Sequence, residues 1–140
     1  MRASLILASL LSLRSVVAHP DDVDDLRKKY LADPTVSSRI KQAITDRIVI
    51  TGMCPFQAFA AAGLPGVYKV QADKKWPGNI APPVIISAQC DHPDDSVIEL
   101  TFHSATQFHT QQPVAFTAKF EHGRVVSIEQ LLPPTIARPP

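Results

Sequence analysis

Cys54 and Cys90 are the only cysteines in the chain, so a single intramolecular bridge is the only redox chemistry they can share. Such a bridge would close a loop of about 37 residues and stabilise the fold by roughly 3 to 4 kcal/mol through the entropy of the unfolded chain. The alternative is two buried free thiols. Five histidines raise the question of a metal site. His103 and His109 stand six apart, and His92 and His122 lie in turn-forming stretches. None has the i, i+4 or Cys-x-x-Cys spacing of a zinc site, which favours solvated turn histidines. His19 differs, because as a mature N-terminal residue it would carry an amine and an imidazole and could chelate copper, with His92, His103, His109 or His122 as a second ligand.

Hydrolytic and phosphate chemistry have no matching pattern. Ser104 and Ser127 lack a glycine-flanked elbow, and no glycine loop of the phosphate-cradling type occurs. Asp91, Asp94 and Asp95 lack the interleaving and terminal glutamate of a calcium loop. The reading is of a protein with no catalytic residue, no metal ligand set and no cofactor. Two loop aromatics remain as candidate partner anchors, Trp76 beside Pro77 and Gly78, and Phe108 within residues 106–112. Trp76 has an alternative role as a cap on the end of the core.

The two cysteines acquire meaning from the N-terminus. Arg2, an apolar run over residues 3–13, Arg14 and then Ser15, Val16, Val17 and Ala18 have the pattern of a secretory signal peptide, with Val16 and Ala18 at the positions a signal peptidase reads. The apolar run falls far short of the roughly 20 residues that span a bilayer. The expectation is a mature chain beginning at His19, periplasmic or secreted, in a compartment that permits disulfides.

One domain fits in 140 residues, of which 45% are apolar and 19% charged, a globular composition. Thirteen prolines against five glycines disfavour long helices and a helical bundle. The 14 basic and 13 acidic residues give a net charge of +1, and loss of Arg2 and Arg14 would bring it to −1. Neither value suits a nucleic-acid binder.

The elements that must position these residues follow from periodicity. Acid then base over residues 21–29 suits a helix at 22–31, or equally a frayed leader, so residues 19–32 are set apart as a leader segment. Asp33 before Pro34, with Val36, Ile40 and Ile44 at helical spacing, predicts an amphipathic helix over 34–47 capped by Asp33. Cys54 before Pro55 opens a second, alanine-rich helix that Gly63 ends with a left-handed cap. From Val67 the period becomes two. Strands are predicted at 67–71, 84–89, around Ile98, Leu100 and Phe102, around Val114, Phe116, Ala118 and Phe120, and from Val125 to Ile128, with a tight hairpin at His122–Gly123. The prediction is an α+β fold of two layers, two short helices on a three- to four-stranded antiparallel sheet, spanning residues 33–132 and followed by a proline-rich tail at 133–140.

The run Ile50, Thr51, Gly52, Met53, Cys54, Pro55, Phe56, Gln57, Ala58, then Ala62, Gly63, Leu64, Pro65, resembles the core pattern of the BamE (SmpA/OmlA-like) family of small bacterial envelope domains. The closing Phe120, Glu121, His122, Gly123, Arg124, Val125 is similar to that family's last hairpin. The resemblance covers residues 40–128. It implies a helix pair on a three-stranded sheet and a noncatalytic scaffold that binds another envelope protein through the open sheet face or the Trp76 loop. Contact with a membrane surface is compatible with that role, but no transmembrane segment is expected once the signal is removed. The chain departs from the family in lacking a lipidated cysteine, in the proline loop around Trp76 and in the cysteine pair. From the residues themselves, a secreted copper or small-ligand binder using His19, and a secreted inhibitor or effector presenting its loops, remain as alternatives.

Overall fold

Alternation along the second half of the chain dictates the sheet. Ile98, Leu100 and Phe102 are fully buried while Glu99, Thr101 and His103 between them are not, the signature of a strand with one dry face. In the computed structural model, which describes residues 20–131, four strands form an antiparallel sheet in the order β1-β2-β3-β4: β1 (Val67–Gln71), β2 (Val97–Ser104), β3 (Val114–Glu121) and β4 (Arg124–Gln130). Leu100 faces Ala118, and Phe102 faces Phe116, across β2 and β3. The register shifts between Lys119 and Phe120, so Phe120 faces Val125 while Lys119 faces Ser127. Val126 is the extra residue of this bulge. The β3–β4 turn has His122 and Gly123 both at positive φ, 50° and 74°, the backbone that a two-residue hairpin requires.

Four helices complete the described chain: α1 (Pro20–Ala32), α2 (Ser38–Thr45), α3 (Pro55–Ala62) and α4 (Pro82–Ala88). The α+β arrangement of helices on an antiparallel sheet is the one expected, with α1 and α4 added to the anticipated pair. Helix α3 explains the arrangement. Pro55, Phe56, Ala58, Phe59, Ala60 and Ala61 are all buried, and a helix apolar all round must be covered all round. On one side the Phe59 ring meets Phe102 edge-on at 6.3 Å, and Phe102 stacks on Phe116 at 5.5 Å. On the other side α1 packs along it through Val23, Leu26 and Tyr30, spaced three and four apart on one helical face. Arg27 donates from Nε to the Ala60 carbonyl at 3.0 Å. Residues 20–32 therefore belong to the packed domain, which corrects their assignment to a separate leader. Three apolar side chains at helical spacing in an acidic-to-basic segment give α1 a face that α3 needs.

Two further expectations are corrected. Helix α2 starts at Ser38 rather than 34, with Ser37 as its N-cap, accepting from the Ile40 N–H at 3.2 Å. Asp33 is occupied locally, its Oδ1 accepting from the Thr35 N–H at 2.8 Å and from the Thr35 hydroxyl at 2.7 Å, a turn typical of Asp before proline. Residues 84–89, anticipated as a strand, lie mostly in helix α4. Pro82 and Pro83 cannot donate to a sheet ladder but cost nothing in a helix's first turn. Ile85, Ile86 and Gln89 then turn inward together. Gly63 ends α3 with φ 88° and ψ −164°, a positive φ outside the left-handed helical region anticipated for it.

Candidate partner-binding surfaces

Cys54 and Cys90 are bridged, with their Cα atoms 5.1 Å apart. Cys54 is the N-cap of α3 and Cys90 follows α4 by two residues, so the bridge ties the start of one helix to the end of another. Gln57 turns back to accept from the Cys54 N–H at 3.0 Å, and the Phe56 N–H points at Cys90 Sγ at 3.4 Å. Cys54 is 2% exposed, whereas Cys90 is only partly buried. Both line an open groove of about 400 Å³ shared with Tyr30, Gln57, Asp91 and Arg124. Burial, with the charge of Asp91 adding to it and that of Arg124 opposing, pushes the Tyr30 phenol up to about 12.

Trp76 is half-buried and its indole N–H donates to Asp94 Oδ2 at 2.8 Å. The Lys75 ammonium lies 5.2 Å from the ring centroid and 3.3 Å from the same carboxylate oxygen. Asp94 Oδ1 accepts from the Ser96 N–H at 2.8 Å, and the Asp94 N–H donates to Oε1 of Gln89, itself fully buried. Burial alone would raise the Asp94 carboxyl, whose side chain is 4% exposed. Hydrogen bonds from Ser96, Trp76 and Gln89 outweigh that and hold it well below the usual carboxylate range. Asp73 fastens the same loop, accepting from the Lys75 and Asp95 N–H groups. These bonds tie the Trp76 loop to the turn before β2.

Phe108 faces inward, its ring edge-on to Phe116 at 5.8 Å. The loop that carries it is fastened by Gln107, whose amide accepts from the Val49 N–H at 2.7 Å and donates to the Val49 carbonyl at 2.8 Å. Thr106 donates to the Arg47 carbonyl at 2.8 Å. Trp76 and Phe108 thus sit in separate loops, each with polar or aromatic partners of its own.

Across the sheet's open face the register aligns Lys69 with Glu99, Glu99 with Lys119 and Lys119 with Ser127. Thr101 and Thr117, one row further, are 3.1 Å apart through their hydroxyls. This is a polar mosaic of cross-strand pairs. The two edges of the sheet differ. At the β4 edge the Gly52 N–H donates to the Val125 carbonyl at 2.9 Å and the Val125 N–H donates to the Met53 carbonyl at 2.8 Å, so the Gly52–Met53 segment covers it there. At the β1 edge Val67 is 53% and Tyr68 46% exposed. Sequence periodicity found this strand but not its exposure, because nothing in a five-residue alternation says that it has one neighbour instead of two.

A second open groove, of about 510 Å³, lies between α1, the end of α3 and the end of β2, with Arg27, Arg47 and Thr106 in its wall. Among the described residues no three His, Cys, Asp or Glu side chains come close enough to hold a metal ion. His122 Nδ1 lies 3.2 Å from Asp95 Oδ1. His19, the signal segment and the tail at 133–140 fall outside the described residues. Among those described, no helix is long and apolar enough to cross a membrane, and the bridge is compatible with a periplasmic or extracellular compartment. Comparisons with protein-family models, with curated proteins and with solved structures found no match for this chain.

Proposed function

We propose that this chain is an exported, noncatalytic domain of the cell envelope, similar in pattern to BamE-like proteins, that binds another protein by accepting one of its strands at the β1 edge. The observation that supports the reading is the asymmetry of the sheet. The β4 edge is met by backbone of the chain itself at Val125, while β1 is an edge strand that exposes an apolar and an aromatic side chain in succession. An edge strand with exposed side chains is a template for strand addition. Lys69, next along the strand, limits indiscriminate pairing by placing a charge on the edge. The Gly52–Met53 segment that carries the family resemblance has, on this reading, a structural part, covering the opposite edge at Val125.

The test is site-specific photo-crosslinking in the intact envelope, with a photoreactive residue at Tyr68 and, separately, at Arg124 on β4, beside the covered Val125. The expected result is one discrete adduct from position 68 and none from 124. Equal yields from both positions, or none from 68, would overturn the edge reading. Fractionation together with N-terminal sequencing of the exported chain, expected to begin at His19, tests the export step independently.

A further inference from the structure

We infer that the Cys54–Cys90 bridge is a thiol-exchange site, opened by an external dithiol that attacks Cys90 and releases Cys54. This chemistry lies outside the scaffold reading and does not rest on it. The two cysteines differ in exposure. Cys54 is buried at the N-cap of α3, and Cys90 is the partly exposed member, on the wall of the 400 Å³ groove beside Tyr30 and Arg124. A thiolate must approach along the S–S axis and takes the sulfur it can reach, and of the two cysteines in the groove wall Cys90 is the more exposed residue.

The leaving group is then Cys54. As the N-cap residue of an eight-residue helix its sulfur lies at the positive end of α3, where thiolates are stabilised, and a better-stabilised leaving thiolate departs faster. The Phe56 N–H, directed at Cys90 Sγ, serves the second sulfur in the same way. The bridge therefore joins the more exposed cysteine to a leaving group at a helix N-terminus.

One thiolate of the dithiol forms a bond to Cys90 Sγ while the Cys90–Cys54 bond breaks, leaving the mixed disulfide and the Cys54 thiolate. The second thiol of the reagent, deprotonated, displaces the Cys90 thiolate. The dithiol leaves as a cyclic disulfide, oxidised by two electrons, and the two protons it loses are available to the protein thiolates. The consequence is structural: α4 loses its covalent tie to the start of α3, and the groove wall formed by the bridge is free to part.

The mature oxidised protein, without denaturant, is treated with dithiothreitol and the appearance of thiols is followed. Direct attack predicts a rate proportional to reagent, so a tenfold increase in dithiothreitol gives about a tenfold increase in rate. A rate independent of dithiothreitol, set by unfolding, would overturn the inference. Reaction of the oxidised chain with reduced glutathione, stopped by thiol alkylation and followed by peptide mass mapping, locates the mixed disulfide. Glutathione on Cys90 with the alkyl group on Cys54 is expected in at least about tenfold excess over the reverse pattern. Equal amounts of the two patterns, or an excess of glutathione on Cys54, would refute the assignment of the attacked sulfur. Both measurements are made on the unaltered chain.

Discussion

Gly123 offers the sharpest test of how the second half of the molecule is held together. Its φ of 74° is a conformation that costs an L-residue roughly 1–2 kcal/mol. The space around it is also taken: a Cβ there would lie 2.6 Å from the Gln89 carbonyl oxygen and 2.8 Å from Pro93 Cβ. Neither neighbour is the tip of a flexible side chain. The carbonyl is backbone at the end of α4, whose own side chain is tied to Ile85 and Asp94, and Pro93 is a rigid ring. Relief requires the hairpin and the 89–93 turn to part, an overpacking cost of about 1–3 kcal/mol. Gly123→Ala should therefore lose about 2–5 kcal/mol. With an m-value of roughly 1–3 kcal/mol/M, the urea midpoint falls by about 1 M or more at unchanged m. His122→Gly is the control, because its φ of 50° is equally unusual but its side chain is mostly exposed. It should lie within about 1 kcal/mol of the parent chain. A Gly123→Ala midpoint indistinguishable from the parent's would show that the hairpin does not press on the 89–93 turn.

Four other outcomes follow from the geometry. Replacing both cysteines by alanine should cost roughly 3 to 4 kcal/mol in unfolding free energy, measured by urea titration against the oxidised parent. Asp94 has its carboxyl held low in the folded state, so its contribution is complete above the unfolded value of about 4 and is lost as pH falls below it. Asp94→Asn should flatten the acid limb of a stability-against-pH curve and shift the Trp76 fluorescence. Tyr30 has the opposite sign: its phenol is raised to about 12, so stability is complete below pH about 10 and declines between there and 12. Tyr30→Phe should remove that alkaline decline, followed by circular dichroism. Phe102→Ala, which deletes the ring between Phe59 and Phe116, should cost about 3–5 kcal/mol.

The two loop aromatics show how far residue type can be read without coordinates. Trp76 and Phe108 both fall outside periodic runs, and on that ground alone they look equivalent. Phe108 completes the ring cluster through Phe116, while Trp76 spends its one donor on Asp94, eighteen residues away. No local pattern announces either contact. The same is true of the groove beside Cys90, whose walls come from α1, the 33–40 turn, α3 and the β4 hairpin.

Everything governed by neighbours a few residues apart is written in the order of the residues. The strand alternation of 97–104 and 114–121, the hairpin at His122–Gly123 and the α3 start at Cys54–Pro55 are legible, because each depends on side-chain period, on proline's missing N–H or on glycine's tolerance of positive φ. The remainder was set by packing between distant segments. Whether residues 20–32 were helix or frayed leader depended on the bare face of α3, and residues 84–89 are mostly helical because Ile85, Ile86 and Gln89 find buried places that a β-strand would have split between two faces. The covering of one sheet edge by Gly52 and Met53, and the exposure of the other at Val67 and Tyr68, likewise belong to the folded molecule: burial is a property of partners distant in the chain, and short-range pattern carries no information about them.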